Sequence, residues 1–221
     1  MKIIDLSLII EEGMQTFCSP WHPKVEISQL GRIFQEGRET RKVLLGSHTG
    51  THVDAPLHFI SKGASIDTFP LDLIAGNASL VDFSDLPHFS EIDSNMLSER
   101  LGERDSKRII LRFNWGKEFN SKLYYSHHPY LSEEACDWLV KKGCQLLAMD
   151  TPQPDNPKNG YNSENDAPNH KILLKENIFL VEYLCNLEKI LTDVCFFVVA
   201  PLKIKGSDGA PARCFVIEFD A

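Results

Sequence analysis

Between His48 and His58 the chain reads His-Thr-Gly-Thr-His-Val-Asp-Ala-Pro-Leu-His, which places three of its eight histidines and one carboxylate within eleven residues. Imidazole and carboxylate are the nitrogen and oxygen donors that zinc, manganese and iron accept. A lone histidine here would read as part of a polar loop, but His48, His52, Asp54 and His58 together read as a metal site. All four positions are even-numbered, so a strand would turn them to one face. An extended chain would nevertheless separate His48 from His52 by about 13 Å at ~3.3 Å per residue, too far to share one ion. A helix is disfavoured by Thr49, Gly50, Thr51 and Val53, and Pro56 would break one. The expectation is a bent strand or loop that curls at Gly50, where the backbone is freest. Asp54 then falls on the side of His52, and its two oxygens allow it to bridge a second ion.

Further donors must come from elsewhere in the chain. His170 ends a long loop from Asp150, rich in Pro, Asn and Asp, of a length that is usually functional or disordered. Glu182 interrupts the apolar run Phe179-Leu-Val-Glu-Tyr-Leu, and a buried carboxylate needs a partner or a metal. His22 follows Trp21 in the aromatic loop Phe17–Pro23 and is a candidate pocket lining. His127 and His128, beside Tyr124 and Tyr125, read as surface or pocket-wall residues, and His88 as structural. There is no G-x-S-x-G nucleophile elbow and no glycine-rich phosphate cradle.

The elements that would position these groups are mostly strands. Lys2–Leu6, Arg41–Gly46, Ala78–Phe83, Arg108–Phe113, Gln145–Met149, Ile178–Glu182, Cys195–Val199 and Arg213–Phe219 all have strand character. About three or four helices are expected, two of which can be given bounds. Ser94–Leu101 has Ser94 as candidate cap and Gly102 as stop; Ser132–Lys142 is capped by Ser132, with Glu133 and Glu134 in its first turn and Gly143 after it. Strands often follow one another without a helix between, which favours a β-rich mixed α/β domain over a strict doubly wound sheet.

Composition sets the outer bounds. The 221 residues are 43% apolar and 24% charged, ordinary for one globular domain spanning residues 1–221. A formal charge of −8 argues against a broad nucleic-acid footprint. The longest strongly apolar stretch, Val194–Leu202, is far short of the roughly 20 residues that span a membrane. Asp5 interrupts any signal-peptide core, so a cytoplasmic protein is expected. The six cysteines form no C-x-x-C pair and sit mostly among apolar neighbours, as reduced core thiols do.

The segment 48–58 resembles the H-x-G-T-H-x-D-x-P-x-H signature of the cyclase-like metal-dependent hydrolases, a family that includes bacterial kynurenine formamidases and isatin hydrolases. Asp5-Leu-Ser with Glu12-Gly-Met, Gly63–Leu73, His128-Pro-Tyr-Leu-Ser to Asp150-Thr-Pro, and Ala200–Arg213 are similar to other parts of it. The resemblance implies a β-rich α/β fold of the swivelling β/β/α type, in dimers or larger oligomers. It implies one or two divalent ions, zinc or manganese. His48, His52 and Asp54 would hold one; Asp54, His170 and Glu182 would hold the second, with Glu182 reaching both. The spacing between His170 and Glu182 fits that pattern. His58 would be the proton donor and acceptor, and Phe17, with Trp21 as a second candidate, would contact a small-molecule substrate. A divalent ion lowers the pKa of its water to about 7, and imidazole titrates near neutrality, so hydroxide attack on an amide carbonyl with His58 shuttling the proton is the expected chemistry. An aryl formamide such as N-formylkynurenine is the leading substrate. Ring opening of a cyclic amide, as by isatin hydrolase, is the alternative, and a non-catalytic metal or small-molecule binder is a third reading. Leu8 stands where many relatives carry a polar residue, and the loop Gln153–Asn169 departs from the formamidase pattern.

Overall fold

The computed structural model describes residues 1–219. Its strands are β1 (Lys2–Asp5), β2 (Glu26–Gly31), β3 (Thr40–Leu44), β4 (His52–Asp54), β5 (Ala75–Asp82), β6 (Glu91–Ile92), β7 (Arg108–Arg112), β8 (Tyr130–Leu131), β9 (Leu146–Met149), β10 (Phe179–Glu182), β11 (Val194–Pro201) and β12 (Gly209–Glu218). Its helices are α1 (Ile33–Glu36), α2 (Leu71–Ile74), α3 (Ser94–Leu101), α4 (Glu133–Lys141) and α5 (Pro168–Lys175).

The main sheet runs β12-β11-β5-β7-β9-β10-β4 and returns from β4 to β12, closing seven strands into a barrel, while β1 extends it beyond β12. β5, β7, β9 and β10 are parallel. Helices α3, α4 and α5 provide the successive crossovers between them, and the runs Ile-Ile-Leu, Leu-Leu-Ala-Met and Phe-Leu-Val are apolar on both faces because both faces are covered. β4, β11 and β12 complete the ring with antiparallel pairings.

Alternation along the strands sorts residues into two cores. Leu80, Ile110, Ala148, Val181, Val53 and Val216 fill the barrel interior. Val81, Leu111, Leu147 and Leu180 face outward and pack against Leu97 of α3, Leu139 of α4 and Leu173 of α5. His52, Asp54 and Glu182 are one residue out of phase with Val53 and Val181, so they too face outward, at the barrel seam.

The sheet-rich α/β reading is met, and the expected barrel strands appear. Two local expectations, the α3 cap and the place of His128, are corrected. The α3 cap is Asp93, whose carboxylate accepts from Met96 N at 2.8 Å, while Ser94 is already helical and donates to Glu134. A carboxylate one residue earlier caps as well as a hydroxyl. β3 does not join the main sheet but pairs with β2 in a separate two-stranded ribbon. His128 is neither a surface nor a pocket-wall residue: it is fully buried, with Nδ1 donating to Pro129 O at 3.0 Å, whereas His127 is exposed. His88 is exposed, with its ring edge-on to Trp115. All six cysteines are free, and among the described residues no helix is long and apolar enough to cross a membrane.

Burial pushes the His128 imidazole down to about 4 from its ordinary 6.5. Between those values the unfolded chain holds the extra proton, so folding stability rises with pH through that window and is lost on acidification. Relative to His128→Gln, the wild type is expected to lose roughly 3 kcal/mol of unfolding free energy between pH 7 and pH 4, read by denaturant titration at each pH. A difference that stays flat across that range would show that the folded protein accepts the proton.

Candidate metal centre

Register builds the centre. In the β4–β10 pair, His52 lies opposite Glu182 and Asp54 opposite Leu180, which brings the two carboxylates and one imidazole onto one outward face. His48 reaches the same place because the chain curls as expected: Gly50 adopts φ 60°, and the His48 and His52 rings end with centroids 4.9 Å apart. The threonines of the segment hold this turn. Thr49 Oγ1 accepts from Gly46 N, and Thr51 Oγ1 accepts from Leu8 N and donates to Tyr183 O. Pro56 starts a short 3-10 turn whose last residue is His58. His170 does not end a loop: it sits in the first turn of α5, which packs against β10.

Asp54 is the hub. His48 Nδ1 donates to its Oδ1 at 2.6 Å, His52 Nε2 lies 3.0 Å from Oδ1, and His170 Nε2 lies 3.4 Å from Oδ2. Glu182 approaches His52 Nε2 at 3.5 Å and His170 Nε2 at 3.3 Å. The structure therefore brings together all six of His48, His52, Asp54, His58, His170 and Glu182. Donor atoms of His52, Asp54 and Glu182 form one group compact enough to hold an ion, and those of His48, Asp54 and His58 form another.

The donor set fits a cation. His52 Nε2, Asp54 Oδ2 and Glu182 Oε1 are buried and make no hydrogen bond, a costly arrangement for polar atoms unless something binds them. His52 Nδ1 donates to Gly50 O at 2.8 Å, which leaves the Nε2 lone pair facing the two carboxylates. The electrostatics agree. Burial and the repulsion of Asp54 push the Glu182 carboxyl above its ordinary range. Burial would raise Asp54 as well, but the charges of His48, His52 and His58 hold it well below. His48 rises to about 10 despite its burial, because Asp54 and Asp208 favour the imidazolium. Protons here do work that a divalent ion would take over.

Two carboxylates that the residue-type reading passed over complete the arrangement. Asp155 is fully buried; its Oδ2 accepts from His170 Nδ1 at 2.5 Å, and its Oδ1 accepts from Asn169 N at 2.7 Å. Asp208 Oδ2 accepts from His48 Nε2 at 2.8 Å and from His58 Nδ1 at 3.0 Å. Asp208 lies in the Gly-Ser-Asp-Gly stretch of the family-like ending, the one local signal for it. Asp155 is an ordinary Asp in a polar loop until α5 folds beside it.

A cavity of about 380 Å³ opens over the centre. Phe17 and Trp21 both line it, Trp21 edge-on to Tyr161 with centroids 4.5 Å apart and Phe17 edge-on to Tyr125 at 5.6 Å. His22 lines it too, as expected, with Nε2 bonded to His48 O. Phe59, Gln153 and Asn159 contribute further wall, and among the described residues no Lys or Arg does so.

The "Putative cyclase" model of the Cyclase family matches residues 4–156. The chain belongs to the Cyclase family. It is 30% identical to Cyclase-like protein 3 of Oryza sativa subsp. japonica, over 79% of this chain and 64% of that protein's length. It is 27% identical to a kynurenine formamidase of Bacillus cytotoxicus, covering 79% and 78% of the two chains. It is 24% identical to an isatin hydrolase of Roseibium aggregatum, covering 88% and 81%. Among solved Cyclase-like structures, an isatin hydrolase bound to the product analogue thioisatinate superposes with a TM-score of 0.87 at 23% identity, covering 99% of this chain and 93% of that one, a likeness of fold. A structure described as a potential metal-dependent hydrolase with cyclase activity superposes with a TM-score of 0.78 at 25% identity, covering 100% and 99%.

Gly209 tests how tightly the centre is packed. A Cβ there would stand 2.8 Å from Val53 O and 2.9 Å from His48 Cε1, and the first of these is backbone and cannot swing away. Gly209→Ala is expected to displace the His48 ring and cost about 1–3 kcal/mol, seen as a lower denaturation midpoint and shifted His48 imidazole NMR signals. An unchanged midpoint with unchanged signals would show that β4 and β12 have room to separate.

Proposed function

We propose that this protein is a metal-dependent hydrolase of amide C–N bonds, acting on an aryl formamide in the manner of the kynurenine formamidases. The observation that carries this reading is the trio of buried, unpartnered donor atoms on His52, Asp54 and Glu182, set beneath an aromatic cavity that also holds His58. His48, His52 and Asp54 would hold one divalent ion, zinc or manganese, and Asp54, His170 and Glu182 a second. When bound, such an ion supplies Lewis-acid polarisation of a carbonyl oxygen and acidifies water. The protein's own residues do the rest. Asp155 fixes the His170 ring through Nδ1, Phe17 and Trp21 flank an aryl group, and His58, its Nδ1 held by Asp208, keeps Nε2 to move a proton between water and the departing amine. The swivelling β/β/α label of the formamidases is read here as this barrel with its crossover helices on the outer face. The setting is cytoplasmic, and the working form a homodimer or larger homo-oligomer.

Ring opening of a cyclic amide is the second reading, favoured by the longer stretch of chain shared with the isatin hydrolase, 88% against 79% for the formamidase. Both substrates present a carbonyl attached to an aryl nitrogen, so the same donors and the same proton shuttle serve either.

The deciding experiment measures metal per chain and then turnover of N-formylkynurenine and of isatin, with and without chelator. Turnover is expected to vanish on chelation and return with added zinc or manganese. Metal bound without turnover of either compound would instead favour a binding protein. His58→Ala is expected to keep its metal and lose about 10²–10⁴-fold in kcat; full activity would remove His58 from the mechanism. Asp54→Asn is expected to lose metal, and unchanged metal content by elemental analysis would remove its bridging role.

A further inference from the structure

The His58 side chain is about a quarter exposed at the cavity and contacts one carboxylate, that of Asp208. The same Asp208 oxygen, Oδ2, accepts from His58 Nδ1 at 3.0 Å and from His48 Nε2 at 2.8 Å, and the two imidazoles lie with centroids 3.9 Å apart at a tilt of 34°. One oxygen thus sets the position of two rings. Asp208 is itself held from the barrel side. Its backbone carbonyl accepts from Ala55 N at 2.9 Å, and the next residue, Gly209, pairs with Asp54 in the β12–β4 ladder. The carboxylate is therefore anchored to the strand that carries Asp54 and His52, while the ring it steers sits on the turn that follows that strand.

We propose that Asp208 is the positioning residue of the proton shuttle: it holds His58 with its proton on Nδ1, so that Nε2 faces the reacting nitrogen, and ties that ring to His48. This assignment rests on the amide-hydrolase reading. In the step concerned, the carbonyl carbon gains the oxygen of water and the C–N bond breaks with its electron pair leaving on nitrogen. His58 Nε2, bare in the resting ring, takes the proton that water releases and passes it to that nitrogen. A basic, poorly departing amine depends on this proton, whereas an electron-poor amine leaves with little help. Loss of Asp208 should therefore act selectively, through the leaving group.

The test uses ring-substituted formanilides, from formanilide to 4-nitroformanilide, with the metal-loaded wild type, Asp208→Asn and Asp208→Ala. Loaded with excess metal, both variants are expected to reach wild-type metal content, with an affinity about 10–100-fold weaker because the His48 ring loses its Asp208 contact. Their kcat/KM is expected to fall about 10²-fold on formanilide and only a few-fold on 4-nitroformanilide. In 15N imidazole spectra of the same proteins, the Nδ1–H form of His58 seen in the wild type should give way to the Nε2–H form in Asp208→Ala. Equal losses across the series, no loss at all, or failure of both variants to load in excess metal would overturn the assignment and make Asp208 a support of the ion site or of the fold. If the wild type cleaves no formanilide, the aryl-formamide reading fails, and the spectra still decide: an unchanged His58 tautomer in Asp208→Ala overturns the positioning role.

Discussion

Two carboxylates share one buried spot, and the rest of the molecule has to make that tolerable. Asp54 and Glu182 are 1% and 3% exposed and face the same imidazoles. Two negative charges at that depth repel strongly and lose their hydration, so they persist only with protons or cations beside them. The register of β4 against β10 forces the approach, because the strand phase that sends Val53 and Val181 into the barrel sends their neighbours outward together. The cost is offset by four histidines drawn from the turn before β4, from β4 itself, from the turn after it and from α5. Asp155 and Asp208 in turn orient three of those rings.

The centre sits where the barrel closes. β4 is only three residues long yet pairs on both sides, with β10 and with β12. A strand that short contributes little by itself, and its place is secured by the side chains it carries. Barrel closure and the donor set rest on the same three residues, and whatever binds the donors also ties the parallel half of the sheet to the antiparallel half.

Much of this was legible in the residues alone. The eleven-residue segment announced the chemistry, because donor types at those spacings are hard to explain otherwise, and Gly50 signalled the curl. Glu182 stood out as a charge in an apolar strand. The barrel strands were visible as apolar runs and α4 as a well-capped helix. What stayed hidden depends on long-range placement. Asp155 and Asp208 become partners of His170 and His58 only after segments 15 and 150 residues away in sequence meet. His128 looked polar and peripheral because its neighbours are His127 and two tyrosines; its burial comes from Gln153 and the loop that folds over it. β2 eluded pattern reading because it is exposed along almost its whole length and carries no buried face to mark it, whereas its partner β3 was legible at Arg41–Gly46.

The cavity walls are built from different stretches of chain than its floor. The donors stand on β4, β10, α5 and the flanking turns, whereas much of the wall comes from the loop that carries Phe17 and Trp21 and from the long segment between β9 and α5. Loops of this kind accept insertion and replacement far more readily than barrel staves do. Reaction chemistry and substrate choice are therefore separable inheritances in this fold: a lineage can exchange the walls to admit a new molecule while the floor, bound by the arithmetic of a closed sheet, is passed on unaltered.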